Sequence, residues 1–212
     1  MDNRILILLG GIATFFCSYL RGESSLETSF FYEKHFEGDY RYEIWGNQFS
    51  YTLHHPTGFD IKGNYRCNYR IHKFQESNLK LAYGFNHGPF TLFPAGFLEF
   101  LGHKVKHFET RDVYINRISS GIGMGIRLNF LDMAYTMGEV DYVHDLLHSV
   151  ISINHFKFWG KTKEKLRKRA RFVFQTGTKI NNSLDVTVKG HLEKRGKHYF
   201  TRGFSVNFNW KI

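Results

Sequence analysis

The densest run of chemistry-bearing residues in this 212-residue chain is basic: Lys161, Lys163, Lys165, Arg167, Lys168, Arg169 and Arg171, with Glu164 as the only acid among them. Like charges this close repel, and a bound polyanion would relieve the repulsion through charge-assisted hydrogen bonds. Lys161, Lys163, Lys165, Arg167, Lys168 and Arg169 are therefore the candidate anion-binding set. Lipopolysaccharide phosphate, a polysaccharide or a host glycan would suit them, and a solvated loop is the bland alternative. Two histidine pairs, His103 with His107 and His144 with His148, have the four-residue spacing that places two imidazoles on one helical face and can ligate zinc. Neither has a His-Glu-x-x-His pattern or a clear third ligand, so no metal and no cofactor is assigned. Asp145, His148 and Ser149 supply the residue types of a hydrolytic triad. Adjacent strand residues point to opposite faces, which separates His148 from Ser149, and no Gly-x-Ser-x-Gly is present; no catalytic residue is assigned. Gly121, Gly123 and Gly125 lack the following helix and the Gly-Lys-Ser/Thr of a phosphate loop. At every second place on a strand, they strip side chains from one face instead.

The elements that must position these residues read as strands. At the C-terminus Phe204, Val206, Phe208, Trp210 and Ile212 alternate with Ser205, Asn207, Asn209 and Lys211. Phe59 to Ile71 alternates in the same way, with Asp60, Lys62, Asn64, Arg66, Asn68 and Arg70 on the polar side. Its length exceeds the roughly 9 to 11 residues with which a tilted strand crosses a bilayer, and a soluble sandwich strand is nearer 5 or 6. Leu79–Phe85, Ile118–Phe130, Phe172–Ile180 and Leu184–Leu192 follow suit, and residues 26–36, 41–53, 131–138 and 146–158 are weaker candidates that bring the count to ten. Residues 88–117 alternate poorly after Phe97. They are a lumen plug, a short helix or two strands, which leaves eight or twelve strands open.

Composition narrows the setting. Charged residues make up 23% and prolines number three, unlike a disordered chain, and aromatics reach 17%. Arg4 followed by an apolar run from Ile5 to about Leu20 and the small-residue stretch Gly22-Glu23-Ser24 reads as a signal peptide over 1–24, with a single domain over 25–212. The run is shorter than a membrane-spanning helix needs and Arg21 closes it. An exported chain would seldom meet nucleic acid, so the net charge of +10 points elsewhere. Cleavage would leave Cys67 as the one cysteine, without a disulfide partner and on an apolar face.

A terminal strand of this kind after a signal-like leader resembles the closing strand of a bacterial outer-membrane β-barrel. In that family the barrel-assembly machinery reads an apolar or aromatic C-terminal residue. Ile212 stands where the family usually has Phe, while Trp210 keeps an aromatic close to the end. The resemblance implies an all-β, antiparallel transmembrane β-barrel of about ten strands in the bacterial outer membrane, in contact with its lipid and lipopolysaccharide and assembled by that machinery. Lys62, Arg66, Arg70, Lys80, Arg127, Arg171, Lys179 and Lys189 would then line the lumen, and a basic lumen would favour anions. With the C-terminus in the periplasm, the turns Asn181–Ser183 and His55–Gly58 would be periplasmic; Gln75–Asn78 and the basic stretch from Lys161 would face outward. The functional expectation is a pore or structural role. The alternatives are a surface protein that binds polyanions through 161–171 and a lipid-modifying enzyme.

Overall fold

The computed structural model describes residues 23–37, 40–68, 73–107, 111–130, 133–154, 157–163, 168–195 and 199–212. The expected signal segment lies outside them, apart from its last two residues. Twelve strands follow in order: β1 (Glu23–Glu37), β2 (Tyr40–His54), β3 (Phe59–Asn68), β4 (Lys73–Tyr83), β5 (Phe85–His87), β6 (Phe90–His107), β7 (Arg111–Phe130), β8 (Ala134–Asn154), β9 (Lys157–Lys163), β10 (Lys168–Lys179), β11 (Leu184–Arg195) and β12 (Tyr199–Lys211). All pairings are antiparallel, and β12 pairs with β1 from Ser25↔Lys211 to Glu37↔Tyr199. The sheet thus meets its own first edge. Ten strands form the ring, because β5 pairs only with β6, while β9 adds to β8 above the point where β8 leaves β10.

Closure explains the inverted burial. In a ring every backbone donor and acceptor of a strand finds a neighbour, so both faces are free to follow the solvent on their own side. On β12, Phe204, Phe208 and Trp210 are exposed on the outside, while Ser205 and Asn207 are buried inside. Leu79, Leu81, Ile122, Met124, Ile126, Phe172 and Phe174 continue the outer apolar wall. Aromatics crowd both of its margins: Phe59, Tyr83, Phe90, Phe130 and Trp210 at one, Tyr32, Trp45 and Phe204 at the other.

One rim holds both ends of the described chain. The Ile212 N–H donates to the Ser24 carbonyl and the Lys211 N–H to that of Ser183. Its turns are tight; Gly58 adopts φ 91° to close His55–Gly58, a conformation a Cβ would strain. The Asn181 side chain accepts from the Ser183 and Leu184 amides to form the other. The opposite rim is uneven. β6, β7 and β8 run 18, 20 and 21 residues, against 10 for β3 and 12 for β10.

The expected strand count holds, although the strands divide differently. Residues 88–117 hold the whole of β6 and the first seven residues of β7, so of the three alternatives the two strands are found, with 108–110 outside the described residues. Residues 131–138 and 146–158 do not make two strands. They belong largely to the single strand β8, with β9 beginning at Lys157. Gln75–Asn78 lies inside β4 rather than in an outward connection, since its pairing with β3 and β6 is unbroken there.

Candidate functional site

Inward-facing residues of all ten ring strands surround a cavity of about 750 Å³. Lys62, Arg66, Lys80, Arg127, Arg171 and Lys189 line it. Lys179 instead sits exposed at the rim that carries the chain ends, and Arg70 lies outside the described residues. The lining corrects the expectation of a basic interior. Seven Lys and Arg side chains are matched by seven Asp and Glu, among them Glu27, Glu33, Glu76, Glu139, Asp141 and Glu193. Burial without partners would cost each ion several kcal/mol, roughly, so the cations come with acids on facing strands.

Some ion pairs join neighbouring strands and others reach across one or more strands of the ring. At the centre Arg169 is almost wholly buried. It donates to Glu99 at 2.9 Å, to Glu193 at 2.9 and 3.0 Å and to the Ser119 hydroxyl at 2.9 Å, and its Nε lies 3.3 Å from Asp145. Arg171 shares Glu99 and Glu193 and faces Asp141 at 3.8 Å. Glu99 stands on β6 and the two arginines on β10, with β7 and β8 between them, so the bridge spans a chord of the ring. A second chord joins Lys80 on β4 to Glu139 on β8. A third system gathers Arg66, His35 at 3.1 Å and His191 at 3.0 Å around Glu33.

Aromatic packing occupies part of the space beside the ions. Phe31, Ile44 and Phe74 form a buried cluster inside the ring, joined by Tyr42 and Leu101, and the Arg66 guanidinium lies 4.1 Å from the Phe31 ring centroid. Phe97 pairs with Gly121, Ala95 with Gly123 and Phe93 with Gly125. A Cβ at Gly121 or Gly125 would strike the Phe97 or Phe93 ring, and one at Gly123 would strike the Asp141 carboxylate. The alternate glycines therefore make room for these lumen side chains, a cross-strand arrangement in which an aromatic covers the bare backbone opposite.

The basic run does not stay together. Lys168 is exposed at the start of β10, but Arg169, expected on an outer loop, is 1% exposed in the lumen. The strand resumes at Lys168, and alternation turns the next residue inward. Lys161 and Lys163 belong to β9, outside the ring; nothing is described of their side chains, and Lys165 and Arg167 fall outside the described residues. The histidines of 144 and 148 are on a strand, not a helix. Asp145, offered as a triad acid, already accepts from Ser119 at 2.8 Å and pairs with Arg169.

No family model matches this chain, and no curated protein does either. Among solved structures it is similar to Ail, the attachment invasion locus protein of Yersinia pestis, at 10% identity and a TM-score of 0.52, over 90% of this chain and 99% of that one. The outer membrane protease OmpT of Escherichia coli gives 9% identity and 0.53, over 90% and 96%. The translocator domain of the autotransporter NalP of Neisseria meningitidis gives 9% and 0.50, over 99% and 97%. The fold is that of a bacterial outer-membrane β-barrel. The three proteins have different activities by name, so the barrel alone does not choose among them, and the contents of this lumen must do so.

Proposed function

We propose that the protein spans the bacterial outer membrane, after export through its 1–24 segment and insertion by the barrel-assembly machinery, as a non-conducting structural barrel that holds up its outer strands. The observation that carries this reading is the paired ionic filling of the ring: the buried Glu99–Arg169–Arg171–Glu193 group on the side of β6 to β11, with Lys80–Glu139 and Arg66–Glu33 reaching into the cavity beside it. These charge-assisted bonds narrow the passage and hold the lining side chains in place. Ten strands enclose little more than long side chains can fill, and the balanced interior supplies no anion selectivity. In planar bilayers the refolded protein is expected to give no steady conductance. A stable open channel, anion-selective or not, overturns the proposal.

A surface role accompanies this reading. β9 lies outside the ring and carries Lys161 and Lys163, and exposed Lys168 stands at the foot of the same excursion. These are the members of the basic run that stand on described strands away from the lumen, and with Lys165 and Arg167 they are the proposed contact for a polyanion. Salt-sensitive retention on heparin should fall at least tenfold in a Lys161→Gln, Lys163→Gln, Lys168→Gln variant. Unchanged retention removes this role and leaves the structural one standing.

A further inference from the structure

The outer wall carries cations at one height and in one sector. On β12 the outward residues run Trp210, Phe208, Val206, Phe204 and then Arg202. On β1 they run Leu26, Thr28, Phe30, Tyr32 and then Lys34; on β11 Leu192 gives way to Lys194, and on β2 Trp45 gives way to Glu43 and Arg41. The register aligns these changes. Leu192, Arg202, Lys34 and Glu43 form one row across β11, β12, β1 and β2, and Lys194, Phe200, Phe36 and Arg41 form the next. Their inward neighbours Glu33, His35, Thr201 and Glu193 line the lumen, so these side chains face the exterior. Arg202 stands ten residues before Ile212, about the length with which a tilted strand crosses hydrocarbon.

Two guanidiniums share one ring. Arg41 lies 5.7 Å from the Phe36 centroid and Arg202 5.6 Å, and Phe200 packs on the same phenylalanine at 5.8 Å. Lys34 is held by Glu43 at 3.0 Å. Among the described residues no carboxylate lies within ion-pair distance of Arg41, Arg202 or Lys194. The Phe36 ring therefore holds two like-charged guanidiniums, Arg41 and Arg202, in place at the edge of an apolar wall. At that height a charge faces lipid headgroups rather than acyl chains, and the complementary group there is an anion on a membrane-anchored molecule.

We propose that Arg41 and Arg202, ordered by Phe36, together with Lys194 in the same row of the sheet as Phe36, bind a phosphate of an outer-leaflet glycolipid whose acyl chains lie along Phe204, Tyr32 and Trp45. The site rests on the outer-membrane reading above. It is distinct from Lys161 and Lys163 on β9 and Lys168 on β10.

The test uses the full barrel, folded in detergent and incorporated into nanodiscs containing a trace of diphosphorylated lipid A or the same lipid without phosphates. Lipid carried through repurification is then measured. The expected result is at least tenfold enrichment of the phosphorylated form, reduced at least fivefold in an Arg41→Gln, Arg202→Gln variant and unaltered in Lys168→Gln. Millimolar inorganic phosphate should compete only weakly, because the acyl chains supply part of the binding. Equal retention of the two lipids overturns the site, as does full retention by the double variant. Complete displacement by free phosphate assigns an anion site and overturns the lipid. If the double variant does not fold, the comparison of the two lipids on the unaltered protein still decides. A barrel that folds without detergent or lipid would instead defeat the membrane reading itself.

Discussion

At the scale of the residue, Arg169 decides the state of the lumen. Its guanidinium donates to two glutamates and a serine, and removing it leaves Glu99, Glu193 and Asp145 together with one cation fewer. Breaking a buried pair by deleting one partner costs about 3–5 kcal/mol. An Arg169→Met variant should lose about that much against urea, followed by the gel band of the folded barrel. The exposed pair Lys34–Glu43 provides the contrast: Lys34→Met should cost less than about 1 kcal/mol. Gly125 offers a steric test at the same scale. Alanine there meets the Phe93 ring, and overpacking of this kind costs about 1–3 kcal/mol, whereas Gly63 has open space around its missing Cβ. Gly125→Ala should therefore lower the urea midpoint and Gly63→Ala leave it nearly unchanged.

At the scale of the element, strand β8 contains one extra residue. Ile118 pairs with Leu147 and Ser119 with Asp145, so Leu146 has no partner and the strand bulges there. Leu146 and Leu147 both point outward, between inward Asp145 and inward His148. Deleting Leu146 restores strict alternation without turning any other side chain. That variant should fold to a heat-modifiable barrel. Deleting Tyr142 instead shifts the register of the rest of β8 by one and sends Asp145 into the apolar exterior, and no folded band is expected. The same bulge explains what the sequence conceals. Strands with unbroken period two, such as those around Lys62–Arg66 and Phe204–Trp210, are legible because every residue reports the face of the next. Around Asp141–His148 the phase slips once, and a true strand then reads as two weak ones. Gly102 and Pro94 blur β6 similarly, by putting a small and a cyclic residue on its outward face. Lys62, Arg66, Lys80, Arg127, Arg171 and Lys189 are legible as lumen cations from alternation, whereas the buried Arg117 and Arg169 are not, and the acids are not identifiable as partners. Glu99 meets Arg169 across 70 residues of sequence, and only ring closure and register bring them together.

At the scale of the whole molecule, the seam between β1 and β12 is what makes the sheet a barrel. Thr28 faces Phe208 across it, and both side chains point outward. With cysteines at these two positions, mild oxidation of the folded protein should yield an intramolecular disulfide that alters migration of the denatured chain. Cys67 is buried and free, and so does not compete. Failure to cross-link in a protein otherwise folded would mean an open seam, and an open edge in hydrocarbon leaves backbone groups unsatisfied.

The length of β8 also gives the barrel a direction. Its pairing with β10 stops at His144, yet it continues for ten residues to Asn154, flanked by β7 and β9. At about 3.3 Å per residue the extension of β8 reaches some 30 Å along the strand on one flank of the mouth, with β9 beside it over the last six residues, about 20 Å. Among the described strands the wall is therefore tall at β8 and low at β3. A bulky visitor should find its approach to the mouth easier over the low side than over the high one.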